Sequence, residues 1–148
     1  MNQKGILQDP ILKIDILIWR VIKLLIKNKK HELERFGLTC SQFDILSAIH
    51  YFSNIQKETI QVNLSERADI DPMTTSTILR NLEKKGLITR RRNTVNTRTV
   101  LVELTDSGLD LLRKATMQIK ISSKRIYKEM DKEWLISQLL KLSDKLNN

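Results

Sequence analysis

The chain has 148 residues, 41% of them hydrophobic and 29% charged. That is one domain's worth of sequence with enough apolar material for a core, which excludes disorder as its general state. Its net charge of +9 and pI near 9.8 point to a polyanionic partner, nucleic acid or an anionic membrane, while one cysteine and two histidines exclude a disulfide framework and leave a metal site poorly supplied.

In chain order, Asp9-Pro10 reads as a helix N-cap followed by proline in the first turn. The helix it opens is expected to run to about Arg35, ahead of Gly37. Residues 11–26 hold twelve apolar positions of sixteen. Lys13, Asp15, Arg20 and Lys23 interrupt them, whereas a membrane span needs roughly 20 predominantly apolar residues. The stretch also lacks the unbroken apolar middle of a secretory signal, so neither membrane association nor export is expected and the chain is assigned to the cytoplasm. Ile14, Leu17, Ile18, Val21, Ile22 and Leu25 form the main stripe of this helix, with Trp19 and Leu24 off it. A helix apolar on more than one face must be covered on more than one face, and in so short a chain a second subunit is the simplest cover. A second helix is expected from Ser41, with Phe43, Ile45, Leu46, Ile49 and Phe52 on its inner side.

The middle of the chain is the most informative. Leu64 to Ile70 predicts a short helix, and Asp71-Pro72 repeats the cap-plus-proline start signal. The next helix places Thr75, Ile78, Leu79 and Leu82 on an inner face and ends at Gly86. Its other face carries Thr74, Ser76, Thr77, Arg80, Asn81 and Lys84. Two short helices at a tight turn, the second with a polar hydrogen-bonding face, describe a helix-turn-helix. After Gly86 the period becomes two: Leu87 to Arg92 and Arg98 to Leu104 read as strands, with Val100, Val102 and Leu104 on one face and residues 93–97 as the turn. Residues 80–98 carry seven basic side chains against Glu83 alone, two-thirds of the net charge in nineteen residues. A basic hairpin beside a helix-turn-helix is the layout of a winged helix. Beyond it, Thr105 predicts an N-cap for a helix with Leu112, Ala115, Ile119, Ile126 and Met130 on one face. A last helix follows, with Leu135, Leu139, Leu142 and Leu146 in a stripe. With the first helix, it reads as a dimerisation module. The fold class is therefore mainly α with a small β-hairpin wing, a winged helix-turn-helix flanked by N- and C-terminal dimerisation helices.

Several of these segments match a known family. Leu38-Thr39-Cys40-Ser41-Gln42-Phe43-Asp44-Ile45-Leu46 resembles the opening of the MarR transcriptional regulators. Asp71-Pro72-Met73-Thr74-Thr75-Ser76 and Leu82-Glu83-Lys84-Lys85-Gly86-Leu87-Ile88 resemble their recognition helix and its exit. Arg98 and the run Val100-Leu101-Val102-Glu103-Leu104-Thr105-Asp106-Ser107-Gly108 resemble their wing strand and the next helix start. The resemblance covers about residues 10–146. It implies a single unit over 1–148, with 10–36 and 106–146 dimerising and 38–104 binding double-stranded DNA. It further implies a homodimer on a pseudo-palindromic operator, with half-sites about 10–10.5 bp apart, more often repressing than activating. Many such proteins release DNA on binding a small effector, phenolic or otherwise apolar and anionic, or on cysteine oxidation. Two departures stand out. Asn96 occupies a wing position that is typically Asp, so Arg98 lacks that ion pair, and Thr77 stands where Arg is frequent. Arginine to guanine is the commonest specific base contact, so an A·T-rich operator with less direct readout is expected.

The expected DNA-binding residues are Thr74, Ser76, Thr77, Arg80, Lys84, Arg90, Arg92 and Arg98. Arg98 is the candidate for a narrow minor groove, a solvated hairpin arginine being the alternative. Lys84 is assigned to phosphate. Arg90 to Arg92 alternate faces, and Arg91 is the one open to inward packing. Cys40 lies near a helix start with no basic neighbour in sequence, which favours an idle thiol over a redox switch. His31 and His50 fall on different helices without ligand spacing. Trp19, Tyr51, Phe52 and Trp134 are candidates for an effector cavity, with core packing as the alternative. No nucleophile–base pair or phosphate loop is present, so no enzymatic activity and no cofactor are expected. The rival readings are a winged helix for protein assembly, its basic wing on an acidic partner, and a nonspecific architectural DNA binder. The short polar side chains from Thr74 to Thr77 suit base edges better than a protein interface.

Overall fold

The computed structural model describes residues 8–96 and 99–148. Over these, the elements run α1 (Pro10–Glu34), α2 (Cys40–Asn54), α3 (Gln61–Ala68), α4 (Pro72–Lys84), β1 (Ile88–Arg92), β2 (Val100–Leu104), α5 (Asp106–Ile126) and α6 (Lys132–Leu146). The mainly helical fold with one hairpin is the expected class.

Local chemistry explains where the helices begin. Asp9 Oδ1 accepts from the Ile11 amide at 2.8 Å, ahead of Pro10. At α2 the Thr39 hydroxyl accepts from the Gln42 amide, and the Gln42 side chain accepts from the Thr39 amide, each at 3.1 Å. The Leu38-Thr39-x-x-Gln42 motif is thus a capping box, satisfying two otherwise orphaned amides reciprocally. The third helix starts at Gln61, three residues before Leu64 where the sequence placed it. Ile60 pairs with Leu101 of β2, and the chain turns into helix directly from that bridge. The turn between α3 and α4 has Asp69 at φ +53°. The Ser65 hydroxyl donates to the Ile70 carbonyl, as does Thr75 Oγ1 at 3.4 Å. Asp71 then caps α4, accepting from the Thr74 amide at 2.9 Å and from the Thr74 hydroxyl. Those two bonds, the hydroxyl first, hold its carboxyl below the usual carboxylate range.

The core sits under the helix-turn-helix. Thr75, Ile78, Leu79 and Leu82 of α4 are buried, as the sequence predicts, together with Ile45, Leu46 and Ile49 of α2 and Leu64 of α3. The hairpin closes one side: β1 and β2 are antiparallel with Ile88 opposite Leu104, Arg90 opposite Val102 and Arg92 opposite Val100. The Val102 amide, outside the hairpin ladder, donates to the Thr59 carbonyl at 2.9 Å. This second edge explains why Leu101, expected on the outer face, is half-buried like Val100 and Leu104. The turn is closed by the Asn93 amide on the Thr99 carbonyl at 2.9 Å. Thr97 and Arg98 lie outside the described residues.

One junction joins α4, the hairpin and α5. The chain leaves α4 through Gly86 at φ +74°, with the Leu87 amide returning to the Leu82 carbonyl at 3.0 Å, a left-handed helix end that favours glycine. The Thr105 hydroxyl accepts from the Gly108 amide at 3.0 Å and donates to the Gly86 carbonyl at 2.7 Å, while its amide donates to the Leu87 carbonyl at 3.0 Å. Gly108 packs so closely beneath Leu87 that a Cβ there would run into the Leu87 carbonyl oxygen. The Thr105-Asp106-Ser107-Gly108 motif therefore supplies the cap and the clearance at one crossing.

The long helices lie largely outside this core. The C-terminal part of α1 packs on α5 and α2 through buried Leu33, an Asn28 to Ser122 hydrogen bond of 2.9 Å and a Gln118 to Glu32 bond of 2.7 Å. Its N-terminal part exposes Ile11, Ile14, Leu17, Trp19 and Val21, and α6 buries nothing. On the expected apolar face of α5, Leu112 and Ala115 are buried while Ile126 is 41% exposed; Met130, 49% exposed, lies beyond the helix. The helix stops at Ile126, and Asp131 caps a new one by accepting from the Trp134 amide at 3.0 Å. Met130 thereby leaves the helical face. Among the described residues no helix is long and apolar enough to cross a membrane.

Because the obstacle at Gly108 is backbone, Gly108→Ala should destabilise by about 3 kcal/mol, the upper range for overpacking. Thermal unfolding reads this, and an unchanged Tm would contradict the junction. Asp71→Ala should lower Tm at neutral pH. A depressed carboxyl stabilises fully above its unfolded pKa, about pH 4, and the gain is lost as pH falls through the lower folded value. The gap to wild type should close in acid; a gap of constant size would refute the cap's charge as its cause.

Candidate nucleic-acid interface

Core packing decides which side chains α4 offers outward. With Thr75, Ile78, Leu79 and Leu82 turned in, Thr74, Thr77, Arg80, Asn81 and Lys84 are exposed and Ser76 half-exposed. The Arg80 guanidinium donates to Thr77 Oγ1 at 3.2 Å and Ser76 Oγ at 3.5 Å, and the Thr77 hydroxyl donates to the Met73 carbonyl at 3.2 Å. Arg80 is thus steadied by neutral hydroxyls that leave its charge uncompensated. These are exposed hydrogen bonds, readily exchanged for bonds to another acceptor. Five of the residues named from sequence, Thr74, Ser76, Thr77, Arg80 and Lys84, share this helix. Sequence reasoning missed Met73, which is 83% exposed in the first turn. It lies four residues before Thr77 and seven before Arg80, on the same stripe, a signal that helical spacing contains.

The hairpin arginines separate into different environments. Arg91 is exposed and pairs with Glu103 across the hairpin at 3.1 Å. The sequence left Arg91 open to inward packing; the inward residue is Arg90 instead. In the register Arg90 lies opposite buried Val102, so strand alternation sends it toward α4. Its guanidinium reaches Glu83 at 3.0 Å. That hydrogen bond, with burial opposing it, holds the Glu83 carboxyl below its ordinary range. The Arg90 Nε is enclosed and has no acceptor among the described residues, an arrangement that costs roughly 1–3 kcal/mol. Arg92 is exposed at the end of β1. Glu83 is the second residue that sequence reasoning passed over, although it is the sole acid in the basic segment.

Other candidates do not assemble into a site. Cys40 is half-buried in the first turn of α2 against the core. His50 Nε2 lies 3.2 Å from the Asn54 amide nitrogen, while His31 is on α1. Among the described residues no group of three or more His, Cys, Asp and Glu could hold a metal ion. The four aromatics proposed for a cavity are dispersed: Trp19 and Trp134 are 65% and 60% exposed on α1 and α6. Tyr51 meets Phe52 edge to face at 5.4 Å and carries the Arg67 guanidinium 3.3 Å above its ring. A cleft of about 600 Å³ lies elsewhere, between the end of α2, β2 and the start of α5, with His50, Lys57, Arg91, Glu103 and Arg113 on its walls.

Comparison with known proteins agrees with this arrangement. The family model described as "MarR family" matches residues 38–100, from the capping box to the second wing strand. The HTH-type transcriptional regulator SarZ of Staphylococcus haemolyticus is 30% identical over 115 residues, covering 78% of this chain and 73% of SarZ. Among solved structures, the Staphylococcus aureus MepR–DNA complex superposes with a TM-score of 0.78 at 22% identity, over 90% of this chain and 96% of that one. CouR of Rhodococcus jostii bound to p-coumaroyl-CoA gives a TM-score of 0.79 at 18% identity, over 95% and 93%. A winged helix-turn-helix with a polar recognition face, matched by this model and by a relative of this kind, places the chain in the MarR family of transcriptional regulators, DNA-binding proteins rather than enzymes.

Proposed function

We propose that the chain acts as a homodimeric, sequence-specific repressor on a pseudo-palindromic operator. The observation that carries this reading is the outward face of α4, where short hydroxyl side chains, Arg80 and Lys84 stand together beside a basic hairpin. Short hydroxyls and an arginine match base edges in the major groove, and the N-terminal part of a recognition helix is where such contacts are made. Thr74, Ser76, Thr77 and Arg80 face the bases; Lys84 and Arg92 meet phosphate; Arg98 enters the minor groove. Arg90, engaged by Glu83, is left out of that set.

The dimer reading rests on surface that one chain leaves uncovered. Apolar residues along α1 and most of those on α6, including Trp134, Leu139 and Leu146, are exposed. Monomeric soluble proteins rarely expose contiguous apolar patches of such extent. Residues 10–36 and 106–146 then pair two chains and 38–104 bind DNA. Effector control is supported by likeness to a fold neighbour holding p-coumaroyl-CoA and by the cleft beside β2. That cleft has room for a small molecule and is lined by Lys57, Arg91 and Arg113 together with Glu58, Glu103 and Asp106.

Fluorescence anisotropy with DNA from upstream of the chain's own gene and with scrambled DNA tests the reading. A specific site should bind roughly 10³-fold tighter or better than scrambled DNA. A ratio near one would instead indicate an architectural binder, and no binding to either an assembly module. Arg98→Ala should weaken specific binding markedly with the dimer intact; unchanged affinity would remove Arg98 from the contact set. Truncation before Trp134 should yield monomer or insoluble chain in sedimentation, and a stable soluble dimer would refute the assigned interface.

A further inference from the structure

Two features of the hairpin do not fit a simple row of phosphate contacts. Glu83 is the sole acid between Arg80 and Arg98, and it stands near the end of the helix that offers its polar face outward, where a carboxylate repels phosphate. Arg90, the nearest hairpin arginine in the chain, turns back to it with 23% of its side chain exposed, against 68% for Arg91. Between α4 and β1 the chain has only Lys85, Gly86 and Leu87. The turn bonds at Gly86 and Leu87 set where β1 begins, but a two-stranded ribbon can still tilt beyond its root. The Glu83–Arg90 pair bridges the helix to the strand two residues past that root, where a constraint on tilt has leverage.

We propose that Glu83 and Arg90 form a strut between the recognition helix and the wing, and that Arg90 is a positioning residue with no phosphate contact of its own. The strut holds the hairpin at the angle at which Arg92 and the wing tip reach the groove while α4 lies against the bases. With Arg90 23% and Glu83 40% exposed, against 68% and 61% for Arg91 and Glu103, it is partly buried and less screened by salt than the pair on the open surface. If Arg90 swung out to phosphate instead, Glu83 would be left unpaired and charged beside the DNA. The inference rests on the DNA-binding reading only for what the strut positions; the constraint itself is a property of the free protein.

Two readouts on full-length protein separate these points. The first is amide hydrogen exchange without DNA, in wild type, Glu83→Gln and Arg90→Met. Both variants should exchange faster in residues 88–104 with α1 and α5 unchanged; no change in the hairpin would overturn the strut. The second is anisotropy on a site selected by the wild-type protein from randomised duplexes, and on scrambled DNA, across salt concentrations. Glu83→Gln removes a negative charge near DNA, so charge repulsion alone predicts tighter binding. The strut predicts the opposite sign: a specific-to-scrambled ratio lowered by about tenfold, one base contact's worth of discrimination, with Tm and scrambled binding retained. Arg90→Met should give the same loss, and the double variant no more than either single. Tighter or equal binding by Glu83→Gln, or a salt slope reduced by about 0.9 in Arg90→Met alone, would make Arg90 a phosphate contact and overturn the proposal. Should wild type select no site, the DNA reading fails while the exchange result still decides the strut.

Discussion

The recognition helix is thirteen residues long and can bury only one side of itself. Thr75, Ile78, Leu79 and Leu82 take that side, packing beneath α2 and α3. A fully buried aliphatic side chain is worth about 1.5–3 kcal/mol relative to exposure, and α4 buries Ile78, Leu79 and Leu82. A typical hydrogen bond nets about 0.5–1.5 kcal/mol, and those of Thr77 and Arg80 are exposed to exchange with water. The core therefore sets the rotation of α4 about its own axis, and the outward residues follow from it. A change on the outward face leaves the core untouched, so that face is free to vary on a constant scaffold. Thr77 in place of the arginine frequent in the family is one such variation.

The wing depends on a different constraint. A two-stranded hairpin is marginal by itself, and here it is held at three places. Thr105 and Gly108 lock its root to α4 and α5; Thr59 and Ile60 add hydrogen bonds along the far edge of β2; Glu83 ties β1 to the helix beside it. Each attachment consumes polar groups that a reading of net charge alone would assign to the partner. Of the arginines in β1, one pairs with Glu83 and another with Glu103. The basic footprint is thus part structure and part field, and the two are told apart by strand register.

Much of this was legible in the sequence because local and global signals agree. Asp9-Pro10, Asp71-Pro72 and Thr105 cap their helices as read, and the four inward residues of α4 follow helical spacing. What was missed depends on contacts distant in sequence. The start of α3 is set by the Ile60–Leu101 bridge, and half-burial of Leu101 by the same edge. The end of α5 before Met130 depends on Asp131 acting as a cap, which an apolar stripe alone overrode. Composition gave no means of sorting Arg90 from Arg91, since alternation assigns faces but not which face the core occupies. Trp19 and Trp134 read as cavity or core residues; on one chain both are well exposed, which apolar character alone does not foretell.

The family assignment, the outward face of α4 and the exposed apolar residues of α1 and α6 are the grounds of the central proposal, that two copies of this chain present two recognition helices to one face of a duplex. Hydroxyl-radical footprinting of the protein on its selected duplex tests that claim most directly. The account predicts two protected patches related by a two-fold axis, with centres about 10–10.5 bp apart. A single patch, or uniform protection without a fixed position, would contradict it.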